Sequence, residues 1–242
     1  MKITYIHHSS FSVELERSVL LFDYFEGEIP EFDPEKSVYV FASHKHHDHY
    51  DKKIFELAER YPHILFILSG DIRMNSKYMD RIGIPNPARD RIRYIGKNVS
   101  CEYREGQSSI SVETLASTDE GVAFIVSCEG RSIYHAGDLN WWKWREEGDD
   151  WNRSMERDFL REMDKIKGRH FELAFLPLDP RQEEDYYLGF DCFMKTAHAD
   201  RAFPMHCWGD FSVIDGLKKD RCSLEYRDKI IEIKKDGDSY EI

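Results

Sequence analysis

The stretch His44-Lys45-His46-His47-Asp48-His49 places four groups able to hold a metal ion, His44, His46, Asp48 and His49, within six residues. It directly follows the apolar run Val38-Tyr39-Val40-Phe41-Ala42. A short loop at the end of a buried strand lets imidazoles and a carboxylate converge on one point, and a mixed nitrogen–oxygen set suits zinc, manganese or iron. A solvated His-rich turn would explain a loose cluster, but not this spacing behind a strand. Two further groups stand far downstream, each closing an apolar run: Asp138 in Ser132-Ile133-Tyr134-His135-Ala136-Gly137-Asp138, and His206 in Ala202-Phe203-Pro204-Met205-His206. On its small-residue turn, Asp138 can bridge two ions without crowding them. Alone, a strand-end Asp is more often a cap and a strand-end His more often structural; behind H-x-H-x-D-H both gain weight as ligands. An ion held with one open position lowers the pKa of its water from about 15.7 to about 7 and polarises a carbonyl or phosphoryl oxygen. Hydrolysis of an ester, lactone, thioester, amide or phosphodiester is the reaction class this serves.

Several elements must carry these groups to one place. Strand patterns cover Lys2 to Ile6, Phe11 to Leu15, Val19 to Phe22, Val38 to Ala42 and Ile64 to Leu68. Four more follow at Arg91 to Ile95, Ser109 to Leu115, Val122 to Val126 and Ser132 to Tyr134, divided by turn glycines. Phe171 to Leu176 and Ala202 to Met205 read as later strands, and Lys229 to Ile233 and Tyr240 to Ile242 as a hairpin across Asp236-Gly237. Helical spacing predicts helices over Asp51 to Arg60, Ser154 to Lys167 and Phe190 to Ala199. Runs apolar on both faces fit strands covered by helices. Two strand-rich halves, each followed by helices, predict two sheets packed face to face with helices outside, in one domain spanning 1–242.

The chain has 242 residues, 41% hydrophobic and 33% charged, which is an ordinary globular composition. Its net charge of -12, without a basic stripe, disfavours nucleic acid as a partner. No apolar stretch nears the roughly 20 residues needed to span a bilayer, so no membrane partner is expected. The five cysteines are odd in number and widely spaced, with no C-x-x-C, which predicts free thiols and a cytoplasmic setting.

Together, His8-Ser9-Ser10-Phe11, Leu20-Leu21-Phe22-Asp23, His44 to His49, His135-Ala136-Gly137-Asp138 and Met205-His206 resemble the motif series of the metallo-β-lactamase superfamily. The resemblance covers the whole chain and is closest to the branch containing the L-ascorbate-6-phosphate lactonase-like hydrolases. It implies an α/β fold, the αββα four-layer sandwich, with the metal site at one edge between the sheets. It further implies that His44 and His46 hold a first ion, that Asp48, His49 and His206 hold a second, that Asp138 bridges them, and that Asp23 orients the loop from behind. One departure stands out. The family supplies a third histidine for the first ion, whereas the matching stretch Leu115-Ala116-Ser117-Thr118-Asp119-Glu120-Gly121-Val122 has none. Asp119 as a substitute oxygen ligand, Thr118 near the ion, or a single-ion site would each answer that gap. An added oxygen ligand also brings manganese into range beside zinc, with one or two ions bound.

The resulting expectation is a hydrolase using a metal-bound hydroxide on a small-molecule ester, lactone or phosphodiester. Asp48 and Asp138 are the catalytic candidates that orient the nucleophile, and His8, His47 and His135 are candidate acids. In Leu139-Asn140-Trp141-Trp142-Lys143-Trp144 the three indoles, Trp141, Trp142 and Trp144, could wall a substrate pocket, or pack a helix layer instead. His8 could line the same pocket, and Arg181 could fork an anionic substrate group. The alternatives are a non-catalytic metal-binding protein that keeps the fold, and a nucleic-acid-processing nuclease.

Overall fold

The computed structural model describes residues 1–242. In chain order its first elements are β1 (Lys2–His7), β2 (Ser10–Glu14), β3 (Ser18–Phe22), β4 (Ser37–Ala42), β5 (Ile64–Ser69), α1 (Ser76–Ile82), α2 (Asn86–Arg89) and β6 (Ile92–Ile95). The chain continues through β7 (Ser100–Glu105), β8 (Ser108–Ala116), β9 (Val122–Cys128), β10 (Arg131–His135), α3 (Asp149–Asp164), β11 (His170–Pro177), α4 (Leu188–Thr196), β12 (His198–Met205), α5 (Ser212–Lys219) and β13 (Ser239–Glu241). One sheet has the order β13-β1-β2-β3-β4-β5-β6 and the other β12-β11-β10-β9-β8-β7.

Alternation along the strands explains the layering. Leu20 and Phe22 point from β3 into the core shared by the two sheets, while Val19 and Leu21 point into a second core against Ile54, Phe55 and Ala88. The second sheet buries its own outer face under α3 and α4 through Phe159, Met163, Phe190 and Phe193. Helices therefore cover both outer faces, and the architecture is the αββα sandwich.

Strand direction places the site. β1, β3 and β4 run the same way, because β1 and β3 are each antiparallel to β2, and β3 is parallel to β4. β10, β11 and β12 are mutually parallel in the other sheet. The residues just past the carboxyl ends of these six strands include His8, Asp23, His44, Asp138, Asp179 and His206. All of them are buried. Crevices at the carboxyl ends of parallel strands are where open α/β sheets bind ligands.

Three expectations about elements need correction. Lys52–Glu59 is a 3-10 helix, not an α-helix; the Asp51 carboxylate caps it by accepting from the Lys53 N–H at 2.7 Å. α3 begins at Asp149 rather than Ser154, because Asp149 and Asp150 suit a helix amino end that the apolar spacing alone does not mark. Residues 229–233 and 240–242 form no hairpin. β13 pairs antiparallel with β1, Ile231 N–H donates to the Ala202 carbonyl, and Gly237 N–H donates to the Tyr5 carbonyl.

Candidate metal centre

Asp23 is the buried hub behind the centre. Its Oδ1 accepts from the Ser43 N–H at 2.7 Å, and its Oδ2 accepts from the Ser43 hydroxyl at 2.6 Å and from His49 Nδ1 at 2.8 Å. With its own proton given to Asp23, Ser43 Oγ accepts from His44 Nδ1 at 2.9 Å. Both imidazoles thus carry their proton on Nδ1 and turn a bare Nε2 toward the seam between the sheets. On the other side, His206 Nδ1 donates to Asp179 Oδ2 at 2.9 Å, which bares its Nε2 in the same way.

These bare nitrogens surround Asp138. His49 Nε2 lies 3.1 Å and His206 Nε2 3.5 Å from Asp138 Oδ1, and His44 Nε2 lies 3.4 Å from Asp138 Oδ2. His8 Nε2 stands 3.5 Å from Asp48 Oδ2. One ligand atom each from His8, Asp48, His49 and His206 falls within 4.8 Å of the others, and His44, His46 and Asp138 form a second such group. The Nε2 atoms of His8, His44, His49 and His206 and Oδ1 of Asp138 are buried without any hydrogen-bond partner. Orphaned buried polar atoms are costly. Acceptors facing acceptors at these distances are reconciled by a shared positive charge, so the donor set fits a cation.

Ionisation follows the same logic. Burial pushes the His8 imidazole down to about 4 despite Asp48, leaving it neutral and able to ligate. Burial works against ionised Asp138, yet His49 and His206 hold its carboxyl well below the usual range. Burial also opposes a charged His49, but Asp138 and Asp23 raise its pKa well above the ordinary value, so Nε2 attracts a second proton whenever no cation takes that place, and proton and metal ion compete for the same nitrogen. Against desolvation, hydrogen bonds from His206 and Arg181 hold Asp179 down at about 2. Burial and the neighbouring Asp138 push Asp119 up.

Backbone shape brings the two sheets this close. His8, Asp23, His206 and Trp208 all take positive φ, at 54°, 44°, 64° and 50°. Such values are uncommon outside glycine and cluster at functional sites. Gly121, at φ +70°, passes so near the histidine loop that a Cβ there would lie 1.9 Å from the Ser43 carbonyl oxygen. Gly137 makes a similar approach to Ser43 from the Asp138 turn.

The description "Beta-lactamase superfamily domain" matches residues 2–147, more than half of the chain. The chain belongs to the β-lactamase superfamily. Among curated relatives of this superfamily member, a protein of Opitutus terrae is 32% identical over 156 residues, covering 57% of this chain and 63% of its own length. One from Alkaliphilus metalliredigens is 26% identical over 149 residues with the same coverage, and both are called UPF0173 metal-dependent hydrolases. The chain thus spans 63% of the length of these relatives. The metallo-β-lactamase fold protein YhfI from Bacillus subtilis shares the fold at 14% identity, with a TM-score of 0.60 and 99% of each chain covered. Igni18, a metallo hydrolase from Ignicoccus hospitalis, shares it at 19% identity and TM-score 0.57, covering 100% of this chain and 98% of its own.

Within this superfamily member, the structure draws together His44, His46, Asp48, His49, Asp138 and His206, with Asp23 behind the loop. His8 falls in the first candidate ligand group and does not line the open cleft. Asp119 stands beside His46, its Oδ2 3.9 Å from His46 Nδ1, but outside both close-packed ligand groups. One candidate acid is corrected: buried His135 has both ring nitrogens occupied, Nε2 by the Ser9 carbonyl and Nδ1 by the Gly137 N–H, whereas His47, its side chain 92% exposed, lines the open cleft. Trp141 is corrected too: it packs on Phe159, while Trp142 and Trp144 line the open cleft of about 620 Å³. Arg181 reaches that cleft, but its Nε and one terminal nitrogen are already forked onto Asp179. Asp179 and Trp208 are site residues the sequence reading missed. Their signals were an Asp-Pro step closing a buried strand and a tryptophan two residues beyond a ligand-type histidine.

Proposed function

We propose that this chain is a metal-dependent hydrolase of a small-molecule ester, lactone or phosphodiester, with residues 1–242 acting as one domain. The observation that carries this reading is the set of orphaned buried atoms at the seam, His8 Nε2, His44 Nε2, His49 Nε2, His206 Nε2 and Asp138 Oδ1. His8, Asp48, His49 and His206 would hold one ion and His44 and His46 another, with Asp138 between them; zinc suits this set and manganese is the alternative. A bound divalent cation supplies Lewis acidity and brings the pKa of water at the site to about 7. Hydrolysis bonds water oxygen to the acyl carbon or phosphorus and breaks the bond to the leaving group, which departs with a proton. Asp48 and Asp138, both facing the cleft, orient that water. Trp142 closes one side, its Nε1 donating to the Asp138 carbonyl at 3.0 Å and fixing that turn. The designation of both curated relatives as metal-dependent hydrolases supports this reading. Five free cysteines support a reducing, cytoplasmic setting.

The test is elemental analysis followed by a substrate panel on wild type and His46→Ala. The expected result is one to two equivalents of transition metal, and turnover that is lost with a chelator, restored by metal and reduced in the variant. Less than a tenth of an equivalent after incubation with zinc or manganese overturns the reading. Full loading without turnover on any ester, lactone or phosphodiester replaces it with a metal-binding role.

A further inference from the structure

We propose that the cleft selects uncharged substrates with a bulky, aryl-bearing acyl group, so that a carboxylic ester or lactone, not a phosphodiester, is the bond cleaved. This rests on the hydrolase reading above and deepens it.

The wall is aromatic and partly wet. Trp142 and Trp144 stack with centroids 5.7 Å apart and planes 8° from parallel, and the Trp142 ring lies 5.6 Å from that of His206. Trp151 and Met155 face the same cleft from the first half of α3, whose core contacts are made further along by Phe159 and Met163. Trp151 is 36% exposed and Trp208 46% exposed. Indoles left in water at the mouth of one cleft forgo burial that a flat apolar ligand would restore, and stacking on another aromatic ring adds to that gain. A cleft of about 620 Å³ is sized for more than an acetyl group.

Charge excludes the alternatives. Asp48, Asp119 and Asp138 face the space, and no lysine lines it. The one guanidinium, Arg181, is matched by fully buried Asp179 and lies over Trp208 at 4.4 Å. Because Asp48 and Asp138 would be engaged by the ions, Asp119 is the carboxylate left facing the space, and beyond the ions themselves an anionic acyl group or a phosphodiester would meet it with no unpaired cationic side chain to favour it over an uncharged ester.

The test compares esters sharing one leaving group on the metal-loaded chain: methyl phenylacetate, methyl acetate and monomethyl succinate, with methyl phenyl phosphate as the phosphodiester. The expected kcat/KM for methyl phenylacetate exceeds that for methyl acetate by about tenfold or more, about 1.4 kcal/mol. In the Trp151→Ala/Met155→Ala double variant that ratio falls to within about threefold of unity. Equal rates on the phenyl and methyl acyl groups, or preference for the succinate or phosphate, overturn the proposal. If a metal-loaded chain hydrolyses none of the four, the hydrolase reading is left to the wider panel above, and the cleft is judged by saturation-transfer NMR. Binding of phenylacetamide but not acetamide, lost in the double variant, upholds the aryl preference; equal or absent responses overturn it.

Discussion

Replacing Asp23 with asparagine leaves size unchanged and inverts one half of the hydrogen-bond pattern. Oδ1 can still accept from the Ser43 N–H, but Oδ2 becomes an NH2 group facing two donors, the Ser43 hydroxyl at 2.6 Å and His49 Nδ1 at 2.8 Å. Ser43 can rotate its hydroxyl. His49 relieves the clash only by moving its proton to Nε2, which then points at Asp138 Oδ1 3.1 Å away and offers no lone pair. Loss of one outer partner costs a metal site about 10–100-fold in affinity. Asp23 serves His49 directly and His44 through Ser43, so the upper end applies: a rise in zinc Kd of about a hundredfold, about 2.8 kcal/mol. The assay is competition against a chromogenic zinc chelator, with circular dichroism to show that the variant is folded. A folded Asp23→Asn protein whose zinc Kd lies within about threefold of wild type would refute the claim that Asp23 sets both histidines.

Asp138 stands against three histidines and Asp119 against one, so Asp138→Ala should lower bound-metal stoichiometry and activity far more than Asp119→Ala, as read by elemental analysis and turnover. Gly121→Ala forces a Cβ to 1.9 Å from the Ser43 carbonyl oxygen at φ +70°. A cost of about 3 kcal/mol or more is expected, seen as a drop in Tm of about 10 °C in a thermal melt. Hydrogen bonds from Arg169 hold the Glu113 carboxyl below its usual range. An unfolded glutamate titrates near about 4.3, so this stabilisation is present above that pH and lost as pH falls through the lower folded value. Urea midpoints taken between about pH 5 and about pH 3 should therefore fall less steeply in Glu113→Gln than in wild type.

The candidate ligands were legible because most of their information is local. Four of them share six residues behind β4, and Asp138 and His206 each follow a strand whose apolar run is plain in the sequence. His8 was harder to read: what aims it inward is a φ of 54° and a backbone N–H held by the Tyr5 hydroxyl at 2.9 Å, neither written in its neighbours. Asp179 acquires its role only when β11 and β12 lie side by side and bring His206 within reach. Trp141 and Trp142 look alike in sequence, yet one turns to Phe159 and the other to the cleft, since backbone direction after a tight turn decides each. Among the elements, β7 escaped because Ser-Cys-Glu-Tyr-Arg-Glu is an edge strand with no fully buried residue. The final strand was misassigned because a local turn signal at Asp236-Gly237 competes with the open edge of β1, and the edge wins.

The donors reach the seam from positions as far apart as 8 and 206, on both sheets, whereas His44 to His49 are together in any conformation of the chain. If these groups hold the proposed ions, a newly made or unfolded chain is already a short peptide chelator. At that stage ions are ranked by intrinsic affinity alone, with copper ahead of zinc and zinc ahead of manganese. Only docking of the two sheets adds Asp138 and His206 and imposes a geometry that can discriminate. Because the open chain also binds, a saturating ion stabilises the fold by less than its native affinity implies. The metal supply present while the chain folds, not only that present afterwards, therefore bears on which ion the finished centre contains.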